Sequence, residues 1–321
     1  MIKILINDGI HPDGQTLLEE AGYHLDIQHV PQADLPKVLP GYDVILVRSA
    51  TKVRKDLIDL CPNLKIIGRG GVGIDNIDAD YARSKGIEVI TTPAASSQSV
   101  AELAFAHMFS LSRSLQLANR FMPTKGDQEF KQMKEAYSDG IQLRGKTLGV
   151  IGFGRIGQEA ARIGIALGMK VMPVDLFIDE AEIAISIPDS DNVSLSVKMR
   201  SFDMDEVLKQ ADFITLHVPF GGGTPIIGAP ELAKMKTGAC LINTSRGGVV
   251  DEEAMLDALN SGKLGGAGLD VFDFEPKPRK EILEHPRISM TPHIGASTQE
   301  AQSLIGLELA DRILAFFGDD K

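Results

Sequence analysis

Three polar residues in the second half of the chain have side chains that could hold an acid and move a proton. His293 lies in a turn after a predicted strand, and histidine suits general acid–base chemistry because its ordinary pKa is near neutrality. Arg246 follows another predicted strand, and its planar guanidinium can bind a carboxylate through two hydrogen bonds. A carboxylate from Glu275 or from Asp273 would stabilise the charged imidazole, and spacing alone does not choose between them. The competing interpretations are a structural histidine and an ordinary ion pair of Arg246.

A glycine-rich segment has the pattern G-x-G-x-x-G, which is weak evidence by itself. It spans residues 152–157, of which the predicted cofactor contacts are Gly152, Gly154, Arg155, Ile156 and Gly157. A predicted strand precedes the segment and a helical pattern follows it, which is the context in which such a loop binds a pyrophosphate at a helix N-terminus. The next predicted strand ends at Asp175, 18 residues past the third glycine. A carboxylate there accepts hydrogen bonds from the ribose hydroxyls and repels a 2′-phosphate, so the sequence predicts NAD rather than NADP.

These residues must be positioned by an α/β fold. Short β-branched runs alternate with helical patterns, and this alternation predicts parallel sheets covered by helices on both faces. The predicted strands are one at the N-terminus and residues 44–47, 65–67, 87–90, 148–151, 170–174, 213–216, 241–243 and 267–271. We expect a nucleotide domain at 96–286, inserted into a second domain made of 1–95 and 287–321. A long apolar helix is predicted at about 100–117 and a final helix at about 297–317.

Composition and charge exclude several classes of protein. The 321 residues are 43% hydrophobic and 24% charged, which is ordinary for a globular chain and excludes disorder as an overall description. The 33 basic and 44 acidic residues give a net charge of −11, which argues against general nucleic-acid binding. The two cysteines form neither a disulfide framework nor a metal cluster, so we expect a cytoplasmic protein without a metal site.

Together the motifs resemble those of the D-isomer-specific 2-hydroxyacid dehydrogenases over nearly all of the chain. The resemblance lies in residues 70–78, 99–103, 152–157, 245–252, 269–276 and 292–297. It implies two Rossmann-like domains, with the nucleotide domain inserted into the substrate domain, and it implies an NAD-dependent dehydrogenase that is usually a dimer. We therefore expect a homodimer formed through the 100–117 region, without nucleic-acid or membrane partners.

The resemblance also implies a role for individual residues. His293 would be the acid–base, Glu275 rather than Asp273 would be its partner, and Arg246 would bind the substrate carboxylate and the reacting oxygen. The backbone N–H groups of Gly70, Gly71 and Val72 would hold the other face of that carboxylate. Further positions implied to contact the nicotinamide or its ribose are Val218, Pro219, Thr244 and Asp270.

The substrate is predicted from fewer residues. The loop 47–53 resembles that of D-3-phosphoglycerate dehydrogenases, and Arg48 with Arg69 would bind a substrate phosphate. The opposing interpretation is that both arginines form ion pairs with acidic surface groups. Three features depart from the close pattern: Val72, an apparent insertion at 183–198, and the loop Gly221–Gly223.

Two alternatives remain open. A glycerate dehydrogenase or hydroxypyruvate/glyoxylate reductase would have the same three reactive residues. A dinucleotide-sensing binding protein, similar to the corepressors of this fold, is a third interpretation, and retention of the reactive residues argues against it. The sequence most resembles a short form of the phosphoglycerate enzymes, and we expect no C-terminal regulatory domain and therefore no serine feedback through one.

Overall fold

A computed structural model describes residues 1–186 and 194–318. The chain divides into two compact units, one made of residues 1–99 with the C-terminal segment from Ala296, and the other of residues 100–295. The predicted boundaries at 95 and 286 are respectively four and nine residues short of these divisions. The second difference has a clear cause, because residues 288–290 form a strand in the sheet of the second unit.

The first unit contains a five-stranded parallel sheet in the order β2-β1-β3-β4-β5. Its strands are β1 (Lys3–Ile6), β2 (His24–Ile27), β3 (Val44–Val47), β4 (Ile66–Arg69) and β5 (Glu88–Thr91). Its helices are α1 (Pro12–Glu20), α2 (Leu35–Val38), α3 (Lys55–Asp59), α4 (Ala79–Ser84) and the C-terminal α13 (Gln299–Gly318), with a short 3₁₀ turn at Leu39–Gly41. Buried apolar clusters lie on both faces of the sheet, and β3 is buried at every position, as expected for a central parallel strand.

The second unit contains a six-stranded parallel sheet in the order β13-β12-β11-β10-β6-β7. Its strands are β6 (Thr147–Ile151), β7 (Lys170–Val174), β10 (Phe213–Leu216), β11 (Ala239–Asn243), β12 (Leu264–Leu269) and β13 (Ile288–Met290). Its helices include α8 (Arg155–Ala166), α9 (Met204–Gln210), α10 (Ala229–Lys234), α11 (Glu252–Asn260) and α12 (Lys280–Glu284). All carboxyl ends of these strands meet at one edge, where ligands bind in open α/β sheets. The predicted α/β class with parallel sheets is confirmed.

The predicted helix at 100–117 is two helices. Helix α5 (Ser97–Ser112) ends before Ser114, which has a left-handed φ of 53°, and α6 (Leu115–Lys125) begins directly after it. A non-glycine residue at this φ cannot continue an α-helix, so the apolar pattern runs through a break that hydrophobicity does not reveal. Helix α7 (Phe130–Ala136) follows.

The predicted insertion at 183–198 lies in an antiparallel hairpin of β8 (Glu180–Ser186) and β9 (Ser194–Arg200), and residues 187–193 between these strands are outside the described part of the chain. In the described ranges, no helix combines the length and the hydropathy that crossing a bilayer requires.

Candidate active site

The glycine-rich loop joins β6 to α8 at the carboxyl edge of the second sheet. Gly152 has a φ of 90°, and Gly157 packs so closely on the Gly152 carbonyl that a Cβ atom would collide with it. Gly154, by contrast, faces open space, because a Cβ atom there would meet nothing within 4 Å. Gly154 is also the residue that caps α8, whose first N–H groups lack intrahelical acceptors. The loop thus has a tight turn, a close helix–strand contact and an open face suited to a pyrophosphate.

Asp175 holds the next loop against the glycine-rich one. Its carboxylate accepts hydrogen bonds from the N–H groups of Phe153 (2.6 Å), Phe177 (2.9 Å) and Ile178 (3.1 Å). The side chain of Asp175 therefore organises the loop, in addition to its predicted role with the ribose. The following Leu176 and Phe177 are 89% and 93% exposed and carry no positive charge for a 2′-phosphate.

The strand order explains how distant segments share this edge. Asp175 follows β7, Gly152 follows β6, His217 and the predicted Val218 and Pro219 follow β10, and Thr244 follows β11. Two buried polar atoms here have no hydrogen-bond partner in the described residues, namely Thr244 Oγ1 and His217 Nδ1. Unpartnered buried polar atoms are rare, and they fit a ligand with hydroxyl or amide groups, such as the nicotinamide riboside half of NAD.

His293 and Glu275 form a hydrogen-bonded pair, with 2.8 Å between His293 Nδ1 and Glu275 Oε2. The other oxygen of Glu275 accepts the N–H of Phe272 at 3.0 Å, which fixes the carboxylate plane. Asp273 instead accepts the N–H of Gly248 at 2.6 Å. Of the two carboxylates considered from the sequence, Glu275 is therefore the partner of His293.

The electrostatics of this pair suit an acid–base. The hydrogen bond that His293 donates to Glu275 raises the pKa of His293, and the charge of Asp270 adds to this, while burial and Arg246 act in the opposite direction. Burial acts to raise the pKa of Glu275, but the hydrogen bond and charge of His293, the N–H of Phe272 and the charge of Arg246 together outweigh it, so the pKa is lowered overall. The pair therefore favours an imidazolium beside a carboxylate.

Arg246 lies in the loop after β11, within electrostatic range of both members of the pair. The loop is shaped by Asn243, whose Oδ1 accepts the N–H (3.0 Å) and the hydroxyl (2.7 Å) of Ser245 and whose Nδ2 donates to the Arg246 carbonyl (2.9 Å). The guanidinium donates to the Ser245 carbonyl at 2.6 Å. Asn243 was not among the predicted site residues, although an Asn at a strand end followed by Thr-Ser is a typical turn signal.

A cavity of about 410 Å³ opens onto the pair. Apart from His293 and Glu275, its lining is mainly apolar and includes Phe272, Leu283 and Met290. Apolar walls with a few convergent polar groups are typical of small-molecule sites.

Asp270 is almost completely buried, with 1% of its surface exposed. Its carboxylate accepts the Thr291 hydroxyl (2.6 Å) and the N–H groups of Ile294 and Gly295 (2.8 Å each). Asp270 therefore holds the segment that carries His293, and a contact with nicotinamide stays a prediction.

The predicted substrate residues lie in the first unit. The N–H groups of Gly70 and Gly71 are already used, donating to the Val47 carbonyl (3.0 Å) and to Thr92 Oγ1 (2.8 Å). Of the three predicted N–H donors, the described contacts leave Val72 for a ligand. The guanidinium of Arg69 lies against Gly71, so closely that any side chain at Gly71 would displace it.

Arg48 follows β3 and is half-buried. Its Nη2 donates to Gln302 Oε1 of α13, and the backbone N–H of Arg48 donates to Asp8 at 2.7 Å. Burial lowers the pKa of Arg48, and the Asp8 carboxylate partly offsets this. Among the described residues, the hydrogen-bond partner of its side chain is the neutral Gln302, and the role of Arg48 in binding a phosphate stays a prediction.

Comparison with known proteins identifies the family to which the chain is similar. The family described as "D-isomer specific 2-hydroxyacid dehydrogenase, NAD binding domain" matches residues 105–295, close to the bounds of the second unit. A hydroxypyruvate reductase from Thermotoga maritima is 41% identical, with 98% of each chain covered. A D-3-phosphoglycerate dehydrogenase from Methanocaldococcus jannaschii is 42% identical over 98% of this chain, which spans 57% of that enzyme.

The fold has solved relatives as well. The crystal structure of the TT0316 protein from Thermus thermophilus is similar with a TM-score of 0.85 and 29% identity, covering 99% of this chain and 97% of the other. The chain therefore belongs to the D-isomer-specific 2-hydroxyacid dehydrogenases, which are NAD-dependent oxidoreductases.

Proposed function

We propose that the protein oxidises D-3-phosphoglycerate to 3-phosphohydroxypyruvate with NAD. The observation that carries the choice of substrate is Arg48, a half-buried guanidinium whose side-chain partner is the neutral Gln302 rather than a carboxylate. Burial destabilises this cation and the Asp8 carboxylate offsets only part of that cost, so a bound phosphate would compensate the remainder.

His293 and Arg246 carry the reaction in this proposal. His293 Nδ1 is held by Glu275, so the opposite ring nitrogen, Nε2, is the one that removes the C2 hydroxyl proton. Arg246 binds the substrate carboxylate and orients C2. Gly154, Asp175 and Thr244 would hold NAD along the carboxyl edge of the second sheet, and NAD would supply the acceptor for the hydride from C2. In the reverse direction the imidazolium returns the proton to the carbonyl oxygen.

The second candidate is a hydroxypyruvate reductase. The 41% identical relative from Thermotoga maritima, which this chain matches over 98% of its length, favours this candidate. The chemistry at His293 and Arg246 would be the same, and the substrate would lack the phosphate. The two candidates therefore differ in whether Arg48 binds a substrate phosphate.

Initial rates with several substrates, measured side by side, test the proposal. We expect NAD reduction with 3-phosphoglycerate to exceed that with glycerate, lactate or 2-hydroxyglutarate. We expect Arg48→Ala to lower kcat/KM for 3-phosphoglycerate by about ten- to a hundredfold, the value of a charge-assisted hydrogen bond, while glycerate oxidation and hydroxypyruvate reduction hardly change.

Arg54→Ala is the matched control, because Arg54 already forms an ion pair with Asp78 at 2.9 Å in the same unit. Equal losses on all substrates for Arg48→Ala would assign Arg48 to the fold or the carboxylate site. A parent enzyme inactive with 3-phosphoglycerate and active with hydroxypyruvate would replace our proposal with the second candidate.

The predicted homodimer also stays a proposal. Large apolar side chains are exposed from the end of α5 to the start of α7: Phe109, Leu115, Met122 and Phe130. An exposed apolar series of this kind is consistent with a subunit interface in this region.

A further inference from the structure

Helix α5 carries a buried histidine that the proposed reaction does not use. His107 is 3% exposed, and it packs over β12 at Gly268, where a Cβ atom would lie 2.6 Å from His107 Cβ. Both ring nitrogens have partners on or next to β13. Nδ1 lies 2.9 Å from Ser289 Oγ, and Nε2 lies 3.1 Å from Thr291 Oγ1.

The direction of these hydrogen bonds follows from Asp270, whose carboxylate is the last group in the hydrogen-bonded series. Thr291 donates its single hydroxyl proton to Asp270 Oδ1, because a carboxylate only accepts. Thr291 Oγ1 must then accept from His107 Nε2, so the proton of the imidazole is on Nε2. Burial lowers the pKa of His107, which keeps the ring neutral, and Nδ1 therefore accepts from Ser289.

Asp270 connects the Thr291 hydroxyl to the segment that carries His293. It accepts the N–H groups of Ile294 and Gly295, the two residues directly after His293. His293 has a φ of 55°, a left-handed conformation that is unfavourable for a residue other than glycine and that only surrounding contacts maintain. With its backbone held this way, the imidazole reaches Glu275 at 2.8 Å.

We propose that His107 is a positioning residue for His293, acting through Thr291 and Asp270. Its neutral imidazole, with the proton on Nε2, fixes the Thr291 hydroxyl, which aligns the Asp270 carboxylate with the two N–H groups after His293. This inference rests on the proposed role of His293 as the acid–base. It does not depend on which hydroxy acid is the substrate.

Two substitutions that remove one hydroxyl each provide a matched test. Thr291→Val and Ser289→Ala both leave one nitrogen of the same buried imidazole unpartnered, so we expect both to lower Tm, and Thr291→Val to lower it further because Asp270 also loses a donor. Of the two hydroxyls, the one on Thr291 is also hydrogen-bonded to Asp270, which holds the segment of His293. Thr291→Val is expected to lower kcat/KM for hydroxypyruvate reduction about three- to tenfold, and Ser289→Ala to leave it nearly unchanged.

The pH profile separates positioning from a general loss of stability. His293 is faced by Glu275, Asp270 and Arg246, and its raised pKa depends first on the bond to Glu275. Loosening the segment weakens that bond, so Thr291→Val should move the alkaline limb of kcat/KM to lower pH. His107→Gln, which supplies an acceptor and a donor in place of the two ring nitrogens, should retain more activity than His107→Leu.

Nitrogen NMR of labelled histidine gives a readout that needs no substrate. We expect His107 to have the Nε2–H tautomer through neutral pH, and the pKa of His293 to fall in Thr291→Val but not in Ser289→Ala. The Nδ1–H tautomer, or equal effects of the two variants on His293, would overturn the inference. A wild-type enzyme inactive with every hydroxy acid would count against the proposed function alone, because the NMR titration still tests the contacts of His107.

Discussion

Glu275→Gln is the most direct test of the proposed acid–base pair. Both oxygens of the carboxylate accept hydrogen bonds, one from His293 Nδ1 at 2.8 Å and the other from the N–H of Phe272 at 3.0 Å. Glutamine has nearly the same shape but only one acceptor oxygen and no charge. One of the two hydrogen bonds must therefore be lost, and the imidazolium loses its counter-ion in either case.

The size of the effect is limited by exposure to water. A charge-assisted hydrogen bond contributes about 1.5–3 kcal/mol when it is well shielded. The side chains of His293 and Glu275 are 45% and 36% exposed, so we reduce this by half for screening, to about 0.75–1.5 kcal/mol. That free energy corresponds to a loss of about three- to twelvefold in kcat/KM.

The loss should depend on pH. In the reduction of a keto acid the protonated form of His293 is active, and Glu275 raises the pKa of His293. Removing the carboxylate lowers that pKa, so the alkaline limb of kcat/KM moves to lower pH and the deficit is larger in alkaline than in acidic buffer. NADH-dependent hydroxypyruvate reduction between about pH 5 and pH 10 measures this.

Asp273→Asn is the matched control, because it makes the same chemical change two residues away. Its side-chain oxygen can still accept the N–H of Gly248, and it does not contact His293. An alkaline limb that stays in place in Glu275→Gln, or that moves equally in Asp273→Asn, would refute the assigned partnership.

Two further predictions concern the proton and the cofactor. His293→Asn, chosen because asparagine tolerates a left-handed φ, should lower kcat by on the order of 10²–10⁴ and leave NADH affinity, measured by fluorescence titration, nearly unchanged. Near wild-type turnover would exclude His293 as the acid–base. Asp175→Ser combined with Leu176→Arg should raise the ratio of kcat/KM for NADP to that for NAD, and should lower Tm because three backbone N–H groups lose their acceptor. Comparable use of both cofactors by the unmodified enzyme would refute our interpretation of Asp175.

Local features of the molecule were predictable because their causes are local. The glycine-rich loop is recognisable since a tight turn, an open backbone and a close packing contact each require glycine at a fixed spacing. The parallel sheets are recognisable since their strands are apolar on both faces and alternate with helical patterns. A single left-handed residue such as Ser114 leaves no such pattern, so the end of α5 was placed too late.

Other features depend on contacts between segments far apart in sequence. The hydrogen bond between His107 and Thr291 spans 184 residues, and that between Arg48 and Gln302 spans 254. No periodicity or motif encodes such pairs, because they form only after the order of the strands brings helices and loops together. The choice between Asp273 and Glu275 belongs to the same class, since both carboxylates lie within reach along the chain and only the turn after β12 directs one of them to His293.

The chemistry available to the chain follows from its residue types and their spacing, which set the acids, bases, cations and phosphate loops. How the reactive histidine is held depends on the fold. Its left-handed backbone is held by hydrogen bonds that Asp270 accepts from residues 21 to 25 positions later. The carboxylate of Asp270 also fixes the direction of the hydrogen bond between Thr291 and His107 of α5. These bonds are favourable only where folding has removed the competing water.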